Sequence, residues 1–277
     1  MSPSPGSIGP YRLGDVLGRG GMGEVYRAWD ARLERWVAIK HIRLDRQHDP
    51  VARQRFRREA RSVAALSHPA VVPIFDFLET EDGDWIVMEL VEGSTCADLL
   101  KNGPLDLSTT LELACAVATG LAYAHGRGLV HRDLKAENII LSATGAKILD
   151  FGLAKRVGAH SEGTTLTLEG AVLGTCRPLS PEQPQGSRAD ERSDLYSLGV
   201  LVYECLAGFS PFEAATQVAT LTRVCTHQQA ALTEVDPGIP KNFSNLVDRL
   251  LENLPERRPQ SAAEVADALA AMARDSE

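Results

Sequence analysis

Between residues 11 and 91 apolar and polar positions alternate with a period of two, and from residue 107 onward they recur every three or four. The first pattern predicts a twisted antiparallel sheet built from Tyr11–Gly18, Glu24–Asp30, Trp36–His41, Phe75–Glu79 and Asp84–Val91, with Gly or Asp at most breaks. One helix is predicted to interrupt it over 51–66, where Phe56, Ala60, Val63 and Leu66 share a face and Pro69 follows the end. In the second region Leu111, Ala114, Cys115, Ala118, Leu121 and Ala122 line one side of a helix. Thr109 and Glu112 predict a capping box at its start, and Gly126 and Gly128 punctuate its end. Further helices are predicted at about 190–208, 213–227, 242–253 and 261–273, the last opening with Ser261-x-x-Glu264. The pattern is α+β: a small sheet-rich half and a larger helical half joined near Glu92–Gly93, with a cleft between them. Residues 1–10 read as a short flexible lead.

Composition adds bounds. The 277 residues suffice for one large domain or two lobes, and 44% hydrophobic with 24% charged residues is ordinary globular material. A net charge of −8 argues against nucleic acid or an anionic membrane as partner. Five cysteines without a C-x-x-C pair suggest neither a zinc site nor a disulfide framework, and a reducing cytoplasm fits best. The N-terminus lacks the basic and apolar regions of a signal peptide. The run Leu195–Ala207 is too short for a bilayer and carries Glu204, so no membrane segment is expected. If the chain is a fragment, the whole protein could still be anchored.

The chemistry is concentrated in HRDLKAEN at 131–138 and DFG at 150–152. Phosphoryl transfer from ATP needs a base at the attacking hydroxyl, a cation on the transferring group and hard oxygen ligands for magnesium. Asp133 is the candidate base, Lys135 the cation, and Asn138 and Asp150 the metal ligands. Gly18-x-Gly20-x-x-Gly23 within LGRGGMGEV (17–25) is weak alone, because a Rossmann turn has the same spacing and a plain glycine turn is a further reading. Here the chain continues as strand, turn, strand, which favours a hairpin folding over phosphates. Lys40 closes Val-Ala-Ile-Lys, with Val37 and Ile39 on one strand face and Ala38 and Lys40 on the other. Glu59 is the carboxylate expected to hold Lys40. Arg53, Arg55, Arg57, Arg58 and Arg61 around Glu59 read mainly as a solvated face, with a phosphorylated loop as the alternative partner.

Taken in order, these motifs resemble the eukaryotic-type protein kinase superfamily, and most closely its bacterial Ser/Thr members, over residues 11–273. The resemblance implies a bilobal kinase fold with small lobe 11–91, hinge about 89–93, large lobe 94–273 and a tail at 274–277. It implies ATP with magnesium, or manganese, and protein substrates carrying Ser or Thr acceptors. Leu17, Val25, Ala38 and Ile140 would sandwich adenine, Met88 would be the gatekeeper, and Glu89 to Val91 the adenine-binding hinge. Gly18, Arg19, Gly20, Gly21, Met22, Gly23 and Glu24 would cover the phosphates together with Lys40. Glu182 of Ser-Pro-Glu would pair with Arg258, and Asp194 would anchor the catalytic loop. Lys135 and Thr175 resemble the Ser/Thr-specific branch, and a homodimer through the small lobe occurs among related bacterial kinases.

The chain departs from the family at three places. Pro178 replaces a tyrosine in the loop that receives peptide, so docking is expected to differ. Ala136 replaces proline and Leu254 replaces aspartate, with little effect expected on transfer. Arg132 beside Asp133 implies activation by loop phosphorylation, with Thr167 first among Thr165, Thr164 and Ser161 as sites. Ordinary polar loop residues are the rival reading of those sites. The rival of the whole is a pseudokinase that binds nucleotide without transfer, followed by a small-molecule kinase.

Overall fold

The computed structural model describes residues 6–20, 23–42, 58–80, 83–151, 180–183, 189–226 and 229–275. Its first lobe is an antiparallel sheet of β1 (Ser7–Ile8), β2 (Tyr11–Gly20), β3 (Gly23–Asp30), β4 (Arg35–Ile42), β5 (Ile74–Thr80) and β6 (Gly83–Glu89), in the order β1-β2-β3-β4-β6-β5. The expected strands all form, each within a residue or two of its predicted bounds. Residues 7 and 8 are not a flexible lead: they pair with Arg12 and Tyr11, and Gly9 at φ 56° makes the turn.

Alternation along β4 and β6 divides the lobe. Val37, Ile39, Trp85 and Val87 join Tyr11 and Ala28 in an outer core. Ala38, Ile42, Ile86 and Met88 face the other way, into the core that continues through the second lobe. Register sets Lys40 opposite Val25 on one side and Ile86 on the other. Helix α1 (58–64) lays Ala60 and Val63 on that same core, while Arg58 and Arg61 stay exposed, as a solvated face requires.

The second lobe begins with β7 (Gly93–Thr95) and α2 (Cys96–Leu100), then α3 (Leu107–His125). A short sheet, β7-β8-β9, is completed by β8 (Ile139–Ser142) and β9 (Gly145–Ile148). Helices α4 (Glu191–Ala207), α5 (Gln217–Thr226), α6 (Leu232–Val235), α7 (Lys241–Leu250) and α8 (Ala262–Asp275) finish it. By length and composition α3 is long and apolar enough to cross a membrane, a candidate that inspection of 195–207 alone overlooks. Here Leu113, Ala114, Val117, Ala118 and Leu121 are its buried face, packed against α4, α8 and β9.

The cap of α3 also differs from the expectation. Asp106 accepts hydrogen bonds from the backbone N–H and hydroxyl of Thr109, so Thr109 donates to the cap and is not the cap itself. Asp is the better N-cap because its carboxylate also meets the positive end of the helix. At α8 Ser261 caps the Glu264 N–H as predicted, but the Glu264 carboxylate reaches back to Gln260 N–H.

Candidate active site

The catalytic loop is held from below by a buried carboxylate. Asp194, on the first turn of α4 and 1% exposed, accepts the His131 and Arg132 backbone N–H groups, both at 2.7 Å. His125 Nε2 lies 2.9 Å from the same carboxylate. Turning both amides to one acceptor puts Arg132 at φ 64°, a left-handed conformation that a bulky residue adopts only when its surroundings enforce it.

His131 carries that order upward. Its Nδ1 accepts the Asp133 N–H at 3.2 Å, which leaves Nε2–H to donate to Leu149 O at 2.8 Å. The ring edge meets Phe151 at 4.8 Å between centroids. One buried imidazole therefore joins the HRD segment to the DFG segment, a role for which the motif letters offer no direct signal.

Above it the candidate catalytic side chains converge. Asp133 Oδ2 is 3.6 Å from Lys135 Nζ and 3.4 Å from Asn138 Nδ2, and Asn138 also donates to Asp133 O at 2.7 Å. The short helix Ala136–Asn138 presents Asn138, and Ala136 occupies its first position without disturbing it. The amide nitrogen of Asn138 is engaged, so its oxygen is the atom left for a ligand. Asp150, at φ 50°, sets its Oδ2 2.6 Å from Lys40 Nζ. Two hard oxygen donors from adjacent segments fit a divalent cation of the magnesium type.

Lys40 differs from the expectation. Among the described residues its ion pair is with Asp150 and not with Glu59, although Glu59 lies on α1 as predicted. The left-handed turn at Asp150 brings that carboxylate to the lysine. Forming the Lys40–Glu59 pair requires α1 and Lys40 to approach, the step that controls activity in kinases generally.

The glycine-rich segment is a hairpin. Gly18 pairs with Val25, Arg19 with Glu24 and Gly20 with Gly23, and the chain runs straight on into β3. That excludes the Rossmann reading, whose turn must open a helix. An exposed Arg19 and a half-buried Glu24 form an ion pair at 3.3 Å. Ala38 and Met88 are buried opposite one another, Val25 and Ile140 are half-buried, and Leu17 is exposed at the lip. Behind Met88 a narrow cavity lined by Val63, Val72, Ile74, Ile86 and Phe151 reaches Asp150. Val91 lies two residues after Glu89 on the segment joining the lobes. Gly21, Met22, Thr175, Pro178 and the four candidate phosphosites lie outside the described residues.

An ion pair between a buried Arg258 and a half-buried Glu182 supports the large lobe. Arg258, with its side chain fully buried, donates to Glu182 Oε1 and Oε2 at 3.0 and 2.8 Å, and to the carbonyls of Arg192, Glu252 and Asn253. All five guanidinium N–H groups are satisfied, which is what makes burial of the charge tolerable. Burial pushes the Glu182 carboxyl up, but Arg258 and the Ser193 hydroxyl outweigh it and hold the pKa at about 2. Tyr196 stacks beneath the guanidinium at 4.9 Å. Leu254 is exposed at the start of a short helix that has no side-chain cap.

The model of the protein kinase domain family matches residues 11–269. A probable serine/threonine-protein kinase of Streptomyces coelicolor is 43% identical over 263 residues, covering 93% of this chain and 39% of that protein. Serine/threonine-protein kinase PknB of Mycobacterium tuberculosis is 40% identical over 261 residues, covering 92% of this chain and 41% of PknB. The chain thus spans about two fifths of the length of these relatives. The crystal structure of the M. tuberculosis PknI kinase domain superposes with a TM-score of 0.76 at 27% identity, over 98% of both chains. With the hairpin, the anchored loop and the Glu182–Arg258 pair in place, this chain belongs to the protein kinase domain family.

Proposed function

We propose that this domain is a Ser/Thr protein kinase that moves the γ-phosphate of ATP to a serine or threonine hydroxyl of a protein. The observation that carries the reading is the Asp133–Lys135–Asn138 cluster on a loop fixed by Asp194. Asp133 accepts the proton of the attacking hydroxyl as its oxygen bonds to phosphorus and the bond to the leaving ADP breaks. Lys135 offsets charge on the transferring group, and Lys40 with the glycine hairpin holds the phosphates. Asn138 and Asp150 would hold magnesium, whose charge would neutralise the phosphate oxygens. The relatives, named as serine/threonine-protein kinases, support Ser/Thr acceptors.

A transfer assay with labelled ATP and a generic basic protein tests this. Asp133→Asn should lower transfer by about 10²–10⁴-fold with nucleotide binding retained. Binding without transfer in the wild type would instead establish a pseudokinase. Activation follows from autophosphorylation between 152 and 179, with Thr167 first, and peptide mapping beside Asp133→Asn reports it. A loop unmodified in both proteins after incubation with ATP and magnesium defeats this part.

The domain works in the cytoplasm and pairs through its small lobe, where Leu33 (61%), Trp36 (45%) and Phe75 (39%) are exposed. Light scattering should find a dimer that Leu33→Asp weakens; a monomer at every concentration rejects the pairing.

A further inference from the structure

Lys147 has no part in the chemistry above, yet its Nζ lies 2.8 and 2.6 Å from the two carboxylate oxygens of Glu89. Glu89 ends β6 and opens the hinge, whereas Lys147 sits on β9, three residues before Asp150. The contact therefore ties the hinge to the strand that delivers the metal-binding aspartate. Backbone bonds run beside it. Ile148 N donates to Ala70 O at 2.8 Å, Val72 N to Ile148 O at 3.0 Å, and Glu89 N to Pro73 O at 3.1 Å.

The pair borders an open cavity of about 280 Å³, whose other walls include Ser67, His68, Val71 and Pro73. The Lys147 and Glu89 side chains keep only 16% and 32% of their surface exposed, so the attraction between them is largely offset by the cost of desolvating both charges. Holding two flexible side chains in one geometry there serves position more than folding.

We propose that Lys147 is a positioning residue for the nucleotide: by fixing Glu89 it sets the hinge in register with Asp150, so that the base and phosphate ends of ATP are met together. The inference rests on the ATP-dependent transfer proposed above. Lys147→Met should raise KM for ATP about five- to tenfold and leave kcat within about twofold, as expected for lost ground-state positioning, and Glu89→Gln should raise KM by a similar factor. Lys147→Arg should restore KM to within about twofold, and the double variant should be no worse than either single one. Calorimetric titration with ATP should show the same loss of affinity, in protein whose thermal melt confirms folding.

An unmoved dissociation constant in folded Lys147→Met overturns the inference. So does a parallel fall in kcat and melting temperature that arginine does not rescue. If Lys147→Met does not fold, Lys147→Gln takes its place, and failure of both assigns the pair to stability and overturns the inference as well. Absence of transfer in the wild type, by contrast, defeats the proposed activity and not the positioning of bound ATP.

Discussion

Two carboxylates, Asp194 buried and Glu182 half-buried, carry opposite risks for this molecule. Asp194 accepts two backbone amides and faces His125, so Asp194→Asn puts an NH₂ donor against one of those amides. The expected cost is roughly 2–4 kcal/mol in urea unfolding, with loss of transfer as Arg132 leaves its strained conformation. Glu182 is matched by a guanidinium whose every N–H is engaged, so Arg258→Met strands a half-buried charge and three carbonyls and should cost up to about 3–5 kcal/mol. Adding Glu182→Gln to Arg258→Met should recover part of that loss, because the uncompensated charge is removed. No recovery in the double variant would mean that the three carbonyls, not the carboxylate, set the cost.

Helices α4 and α7 meet where one of them lacks a side chain. A Cβ at Gly199 would lie 2.8 Å from Leu250 Cβ and 3.1 Å from Leu251 Cδ2. The Leu250 contact is near its backbone and cannot swing aside. Gly199→Ala should therefore destabilise by about 1–3 kcal/mol despite its gain in helix propensity, as read from the urea midpoint. Gly120 on α3 makes an equally short approach, 2.9 Å, but to the Cδ1 end of Ile148. That rotamer can move, so Gly120→Ala should cost less. Equal losses at the two glycines would refute the distinction between rigid and flexible neighbours.

The stability of the whole domain should depend on pH with two opposed contributions. Glu182 is held at about 2 against an ordinary 4.5, so its stabilisation is full above 4.5 and is lost as pH falls from 4.5 toward 2. Glu204, on α4, goes the other way. Burial, helped by Glu137 and Glu213 and opposed by a Ser210 hydrogen bond, raises its carboxyl to about 7. Its contribution is full below 4.5 and is lost as pH rises from there to 7. Glu204→Gln should match the wild type near pH 4 and exceed it by roughly 1–3 kcal/mol at pH 8. Denaturant midpoints across pH 4–8 check this, and parallel curves for the two proteins would contradict it.

What could be read from residue order was whatever lies close in the chain. Periods of two and of three to four located every strand of the small-lobe sheet except Ser7–Ile8, a pair too short to show a period. Asp133, Lys135, Asn138 and Asp150 stood out because recognisable residue types fall within eighteen residues, and the fold brings the first three together. The pairing of Glu182 with Arg258, 76 residues apart, came only through family resemblance, since no local pattern links them. Distance and angle settled the rest. Lys40 met Asp150 and not Glu59, Asp106 and not Thr109 capped α3, and Lys147 found Glu89 across 58 residues. Each of these depends on the distance and angle between polar groups, and that geometry exists only once the chain is packed.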